Sequence, residues 1–194
     1  MNLRRFFIAV VGLLLFSLSG VMAQETQTLR YPIVREPEHL NPFLSNTRAT
    51  RHVLVNVYEA LTGLAPDGSG MEPVLAESWD ISPDGLTYTF NLRRGVLFQE
   101  VAGVTYESRE VTAEDWLWSM KMFLSGDPEI SRHADYLRSI AGAQAFTDGT
   151  ASEVEGIEVV DDYTLRITLE KPSHRFLIDL QNVYVIPREA YEQL

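Results

Sequence analysis

The chain has 194 residues, with 27 acidic against 16 basic side chains, a net charge of −11 and no cysteine. Without cysteine there is no disulfide, thiolate metal site or catalytic thiol, and the acidic balance disfavours nucleic acid and anionic lipid as partners. A hydrophobic share of 45% with 22% charged residues suits a folded globular chain, long enough for one domain or one domain plus part of another.

Residues 1–23 read as an export leader. Arg4 and Arg5 form a positive start, residues 6–18 are apolar apart from Gly12 and Ser17, and Val21-Met22-Ala23 supplies small residues for cleavage after Ala23. The apolar run is short for a membrane anchor, which needs about 20 residues. The arginine pair leaves both the general and the twin-arginine export routes open. With no cysteine after the leader there is no lipid anchor, so the expected home is a Gram-negative-type periplasm. The mature chain from Gln24 would keep 14 basic residues against 27 acidic ones.

A strand is expected over 28–34, then a turn at Leu40-Asn41-Pro42. Over 48–61, Val53, Leu54, Val57, Tyr58 and Leu61 recur at helical spacing and predict a helix. Residues 63–73, with Gly68, Gly70 and two prolines, read as a loop. An extended run over 74–81 leads into Ser82-Pro83-Asp84-Gly85, where proline second and glycine fourth favour a type I turn. Leu86, Tyr88, Phe90 and Leu92 then alternate with Thr87, Thr89, Asn91 and Arg93. That strict period of two predicts a strand over 86–93 with Tyr88 and Phe90 buried.

Thr112 is a good N-cap, with Asp115 at the third helical position in a capping-box-like arrangement. In the helix that follows, Trp116, Met120, Phe123 and Leu124 share one face, while Trp118 and Met122 fall elsewhere. Such stripes belong to a core. Gly126-Asp127-Pro128 ends this helix, and another is expected over 134–146. Residues 154–169 read as a hairpin turning at Asp161-Asp162. A short helix over 176–180, an extended piece over 184–187 and a helix from Arg188 complete the chain.

No catalytic or phosphate-binding motif is present. His39, His52, His133 and His174 are not at zinc-ligand spacing. The sequence therefore gives no catalytic residue, no metal site and no cofactor.

Four stretches carry a resemblance: Leu75-Ala76-Glu77-Ser78-Trp79, then SPDGLTYTFNLR over 82–93, VTAEDW over 111–116, and DDYTLRITLEKP over 161–172. Together they resemble the bacterial extracellular solute-binding proteins of family 5, the oligopeptide-, dipeptide- and nickel-binding subunits of ABC importers. Tyr58-Glu59-Ala60-Leu61 is similar to the family's Tyr/Phe-Glu-Gly-Leu, with alanine for glycine. After Phe98-Gln99-Glu100 an extra segment through Ser108 is a departure, expected to be a longer surface hairpin rather than a site.

The resemblance implies a mixed α/β fold, part of lobe one of a two-lobed type II periplasmic-binding-protein-like architecture. Residues 24–194 would be the N-terminal part of that lobe, with the second lobe absent from this chain. The implied function is the non-catalytic substrate-binding component of an ABC importer, taking a small solute, most readily a peptide, as a monomer that meets permease and ATPase subunits. A secreted hydrolase and a chemosensory binding module without transport are the other readings. By position, the resemblance places Asn46, Thr47 and Arg48 in the cleft, with His133 and Asn182 further along. His133 and Asn182 stand where better-known relatives carry other residue types. Read from the residues alone, Thr47 caps the following helix and Arg48 is solvated.

Overall fold

The fold is built around the alternating strand at 86–93. In the computed structural model, which describes residues 32, 35–45 and 47–193, it is β4, Thr87–Leu92. The leader, the strand expected over 28–34 (Pro32 excepted) and Asn46 lie outside the described residues. Preceding β4 are helix α1 (Arg48–Leu54), the short strands β1 (Thr62–Leu64) and β2 (Met71–Pro73), and β3 (Ala76–Ile81). Following it are α2 (Ala113–Phe123), a 3-10 turn (Ala134–Tyr136), α3 (Ala143–Thr147), β5 (Ile157–Asp161), β6 (Thr164–Thr168), α4 (Phe176–Leu180) and α5 (Arg188–Gln193).

Strands β3-β4-β6-β5 form a four-stranded sheet in that order, and every pairing is antiparallel. Phe90 faces Trp79 on one side and Leu165 on the other. Tyr88, Phe90 and Leu92 are buried, as the period of two requires, while Thr87, Thr89 and Asn91 are half-exposed. The β3–β4 turn closes as expected: the Gly85 N–H donates to the Ser82 carbonyl at 2.8 Å, and Gly85 has φ +70°, a value glycine takes without strain. The Asp84 carboxylate accepts from the Leu86 N–H at 3.0 Å.

Helix α2 packs on β5 and β6 with Trp116, Met120 and Phe123 fully buried. Its start is fixed by Asp115, whose carboxylate accepts from the Thr112 N–H at 2.8 Å and the Thr112 hydroxyl at 3.0 Å. Trp118 and Met122 are half-buried. On the same side of the sheet the Phe176 ring of α4 meets Tyr88 edge-on at 4.8 Å.

Three expectations are corrected. The helix over 48–61 stops at Leu54. Ala60 bridges Tyr184, and the Ala60 and Leu61 carbonyls accept from the N–H groups of Leu75, Val74 and Ala76. Sheet-like pairing thus claims the apolar residues that the helical pattern had counted, and β-branched Val53, Val55 and Val57 give the helix little propensity to resist. The loop over 63–73 contains the β1–β2 hairpin, its turn made by Pro66-Asp67-Gly68 with the Gly68 N–H on the Ala65 carbonyl at 2.9 Å. The helix over 134–146 is broken into the 3-10 turn and α3. Between them Ile140 bridges Leu169, and Gly142 has φ +75° with a Cβ there only 3.0 Å from the Glu155 backbone.

The segment over 98–108 is a surface excursion closed like a hairpin. Leu97 bridges Glu110 and the Phe98 N–H donates to the Arg109 carbonyl at 2.7 Å. It is held on α5, where the Gln193 side chain both accepts from the Thr105 N–H and donates to its carbonyl.

Candidate ligand-binding face

The short helix α1 supplies the first part of the face. Thr47 is its N-cap, and the Thr47 hydroxyl accepts from the Thr50 N–H at 3.3 Å. The Thr50 hydroxyl also lies 3.0 Å from both the Thr47 and the Ser45 hydroxyls. The Thr47 side chain is therefore engaged in holding the helix start. Arg48 and Arg51, one turn apart, are exposed.

The second part comes from the chain around the 3-10 turn. The Arg132 N–H donates to the Phe43 carbonyl at 2.9 Å, which ties this segment beside the chain entering α1. His133 is half-buried, and its ring lies 5.7 Å from that of Tyr136 at a tilt of 31°. Its Nε2 is buried with no hydrogen-bond partner among the described residues. Burial, reinforced by the neighbouring Arg132 charge and opposed by Asp135, holds the imidazole below its ordinary pKa, so it is mainly neutral near pH 7.

The third part follows α4, which packs against both β1 and the 3-10 turn. The Asn182 amide nitrogen donates to the carbonyls of Ile178 at 3.4 Å and Asp179 at 3.3 Å. Its Oδ1 is buried without a partner. Two residues on, Tyr184 is 5% exposed, and its ring lies 6.0 Å from that of Tyr58. Burial raises the pKa of both phenols, and the Arg51 charge partly offsets this at Tyr184. Both hydroxyls keep their protons at neutral pH and can donate.

The fold thus carries Thr47, Arg48, His133 and Asn182 on three adjoining elements; no hydrogen bond among the described residues joins these four to one another. Asn46 lies outside the described residues. The ring pairs Tyr58–Tyr184 and His133–Tyr136 were not anticipated from the sequence. The Tyr58–Tyr184 pair is made by the Ala60–Tyr184 bridge, a contact across more than a hundred residues that no local pattern reports.

What the face can do follows from its atoms. A buried carbonyl oxygen and a buried ring nitrogen without partners, with phenol donors nearby, complement the N–H and C=O groups of a polar ligand. Among the described residues no group of three or more His, Cys, Asp or Glu side chains could hold a metal ion, and no helix is long and apolar enough to cross a membrane. A hollow of about 580 Å³ is lined chiefly by apolar side chains including Phe43, Leu97, Phe98, Ile186 and Tyr191. None of the four described sequence candidates, Thr47, Arg48, His133 and Asn182, lines it.

Comparison with known proteins places this geometry in a family. The family described as "Bacterial extracellular solute-binding proteins, family 5 Middle" matches residues 70–193. The chain is 34% identical over 169 residues to Di/tripeptide-binding protein 2 of Pseudomonas aeruginosa (strain UCBPP-PA14), which covers 87% of this chain and 31% of that protein. Among solved structures it is similar to a periplasmic oligopeptide-binding protein (OppAIV) of Borrelia burgdorferi, with TM-score 0.67, 31% identity and coverage of 81% of this chain and 31% of that one. It is also similar to the periplasmic binding protein DppA of Helicobacter pylori in complex with the peptide STSA, with TM-score 0.66, 27% identity and coverage of 81% and 30%. The chain spans about a third of the length of these relatives. Relatives of this kind are binding proteins, and the mixed helix-and-strand fold is that of one part of their two-lobed architecture. The chain belongs to family 5 of the bacterial extracellular solute-binding proteins.

Proposed function

We propose that this chain contributes one wall of a peptide-binding cleft in the substrate-binding component of an ABC importer. The observation that carries the reading is a pair of buried polar atoms without partners, His133 Nε2 and Asn182 Oδ1, on adjoining elements, in a chain that is 34% identical to a protein named for binding di- and tripeptides. An extended peptide presents alternating N–H and C=O groups whatever its sequence, so a few fixed acceptors and donors hold many peptides. Arg48 on α1 adds a charge that pairs with a carboxylate, and Asn46, beside the Thr47 cap, adds an amide. Thr47 acts by fixing the direction of α1.

In this reading the protein is a monomer and no enzyme. It works in the periplasm after cleavage following Ala23, without a lipid anchor, and hands its solute to permease and ATPase subunits. A two-lobed receptor closes on its ligand and excludes water, which strengthens every polar contact inside. One wall alone binds weakly. The secreted-hydrolase reading finds no catalytic motif in the sequence to support it.

The test is fluorescence anisotropy of a labelled tripeptide titrated with the wild type, Arg48→Ala and Asn182→Ala. Both substitutions should weaken binding while leaving the unfolding midpoint close to that of the wild type. Wild-type affinity in both variants would remove these residues from the site. N-terminal sequencing of the exported protein should begin at Gln24, and a chain still starting at Met1 would refute the leader.

A further inference from the structure

His133 is held in place by its backbone and left open at its ring. Its N–H donates to the Ser131 hydroxyl at 3.3 Å, and that hydroxyl, on a buried residue, donates to the Phe123 carbonyl at 2.8 Å. Its carbonyl accepts from the Tyr136 N–H at 3.2 Å. With the Arg132 N–H on the Phe43 carbonyl, three consecutive residues are fixed between the end of α2 and the chain entering α1. The ring then lies beside that of Tyr136, and its buried Nε2 has no hydrogen-bond partner among the described residues.

The surroundings suit a neutral ring better than a cation. Arg132 adjoins His133 in the chain and spends its Nε on the Pro128 carbonyl at 3.2 Å. Asp135, the acid of the 3-10 turn, is taken by Arg138 at 2.6 Å. From α4, which packs against that turn, Asp179 is paired with Arg175 at 3.3 Å, and His174 just before the helix is exposed. The chain over 41–45 brings no titratable group, and α1 brings Arg48, Arg51 and His52 but no acid. An imidazolium at His133 would thus be half-buried, with Arg132 next to it and both acids already paired.

We infer that His133 makes ligand capture at this face sensitive to protons, holding a peptide while its imidazole is neutral and releasing it when the ring is protonated. The inference rests on the peptide-binding reading and adds the regulation of that same site. A neutral imidazole keeps one ring nitrogen free to accept, so that Nε2 can take a peptide N–H, whereas an imidazolium has donors only and loses that contact. A peptide laid on the face also strips water from the rest of the ring, which costs the charged form more than the neutral one. The two effects have the same sign. Bound peptide weakens the hold of His133 on a proton, and a proton weakens the hold on peptide by the same factor. Capture is therefore full above the pKa of the ring and declines as pH falls through it.

The experiment is a nuclear magnetic resonance titration of the ¹⁵N-labelled chain with Ala-Ala-Ala at about pH 7 and about pH 5, between which the termini of the probe keep their charges. Chemical-shift changes read affinities into the millimolar range, as a single wall requires. The wild type should bind about fivefold less tightly at the lower pH, within the roughly tenfold that a difference of one pKa unit between free and bound states allows. In His133→Gln, whose amide does not titrate, the two affinities should agree. His52→Gln and His174→Gln should keep the wild-type response. The ring gives a second reading that needs no variant: the His133 Cε1 proton should titrate at lower pH in saturating peptide than without it. Equal wild-type affinities at the two pH values, a response that survives His133→Gln, or a ring titration that peptide leaves unmoved overturns the inference and leaves peptide binding standing. Absence of binding at both pH values overturns both.

Discussion

Phe90→Ala tests the organising strand most sharply. Phe90 is fully buried at the centre of β4, between Trp79 on β3 and Leu165 on β6. Its ring lies 6.4 Å from those of Trp79 and Tyr88. A buried aromatic side chain removes about 150–250 Å² from water, which at about 25 cal/mol per Å² amounts to about 4–6 kcal/mol, part of it retained by the alanine methyl. The cavity left behind and the lost ring contacts add to the cost, so a loss of about 3–5 kcal/mol is expected. Thr89 is the internal control. It sits one residue away on the half-exposed face, opposite Asp80 and Arg166, and Thr89→Ala should cost about 1 kcal/mol or less. Urea unfolding of the two variants reads the difference directly, provided the slope with denaturant is unchanged. Equal losses would show that the two faces of β4 are not distinguished by burial, and the account of the core would fail.

Gly126→Ala should destabilise by about 1–3 kcal/mol, because a Cβ at that position would stand 2.1 Å from the Thr147 carbonyl oxygen; an unchanged melting temperature would contradict the close approach of α3 to the end of α2. Thr47→Ala should lower stability by about 0.5–2 kcal/mol through loss of the α1 cap, and an unaltered urea midpoint would mean the cap is idle. His133 carries a pH signature. Its folded-state pKa lies below the ordinary value, so the unfolded chain binds a proton more readily. The stability it contributes is fully present above about pH 6.5 and declines as pH falls through that value towards the folded pKa. The wild type should therefore lose stability relative to His133→Phe on acidification across this window, as measured by paired urea titrations. A constant difference between the two would mean that the imidazole is not desolvated.

How far the sequence spoke depends on the range of the interaction. The β4 alternation, the Ser82–Gly85 turn, the Thr112–Asp115 start of α2 and the hairpin read over 154–169 are local, because each is decided by neighbours within a few residues. They stand in the structure as read. The α1 reading failed beyond Leu54 because Ala60 and Leu61 give their carbonyls to the 74–76 segment, and Ala60 also bridges Tyr184. The 134–146 reading failed at Gly142, whose positive φ serves a close approach to Glu155 that is invisible in the sequence. The β1–β2 hairpin was legible in principle, since Pro66-Asp67-Gly68 repeats the turn chemistry used at Pro83-Asp84-Gly85. At the candidate face, Arg48 and Asn182 came from positional resemblance. The pairing of Tyr58 with Tyr184 exists only once two distant segments meet.

Peptide capture without turnover is the central claim, and saturation-transfer difference spectroscopy with a mixture of di- and tripeptides tests it most directly. The account predicts transfer from the protein to peptide protons at millimolar peptide, competition of the mixture by excess trialanine, and peptide masses unchanged after prolonged incubation. No transfer to any peptide, or cleavage of the peptides during incubation, would contradict it.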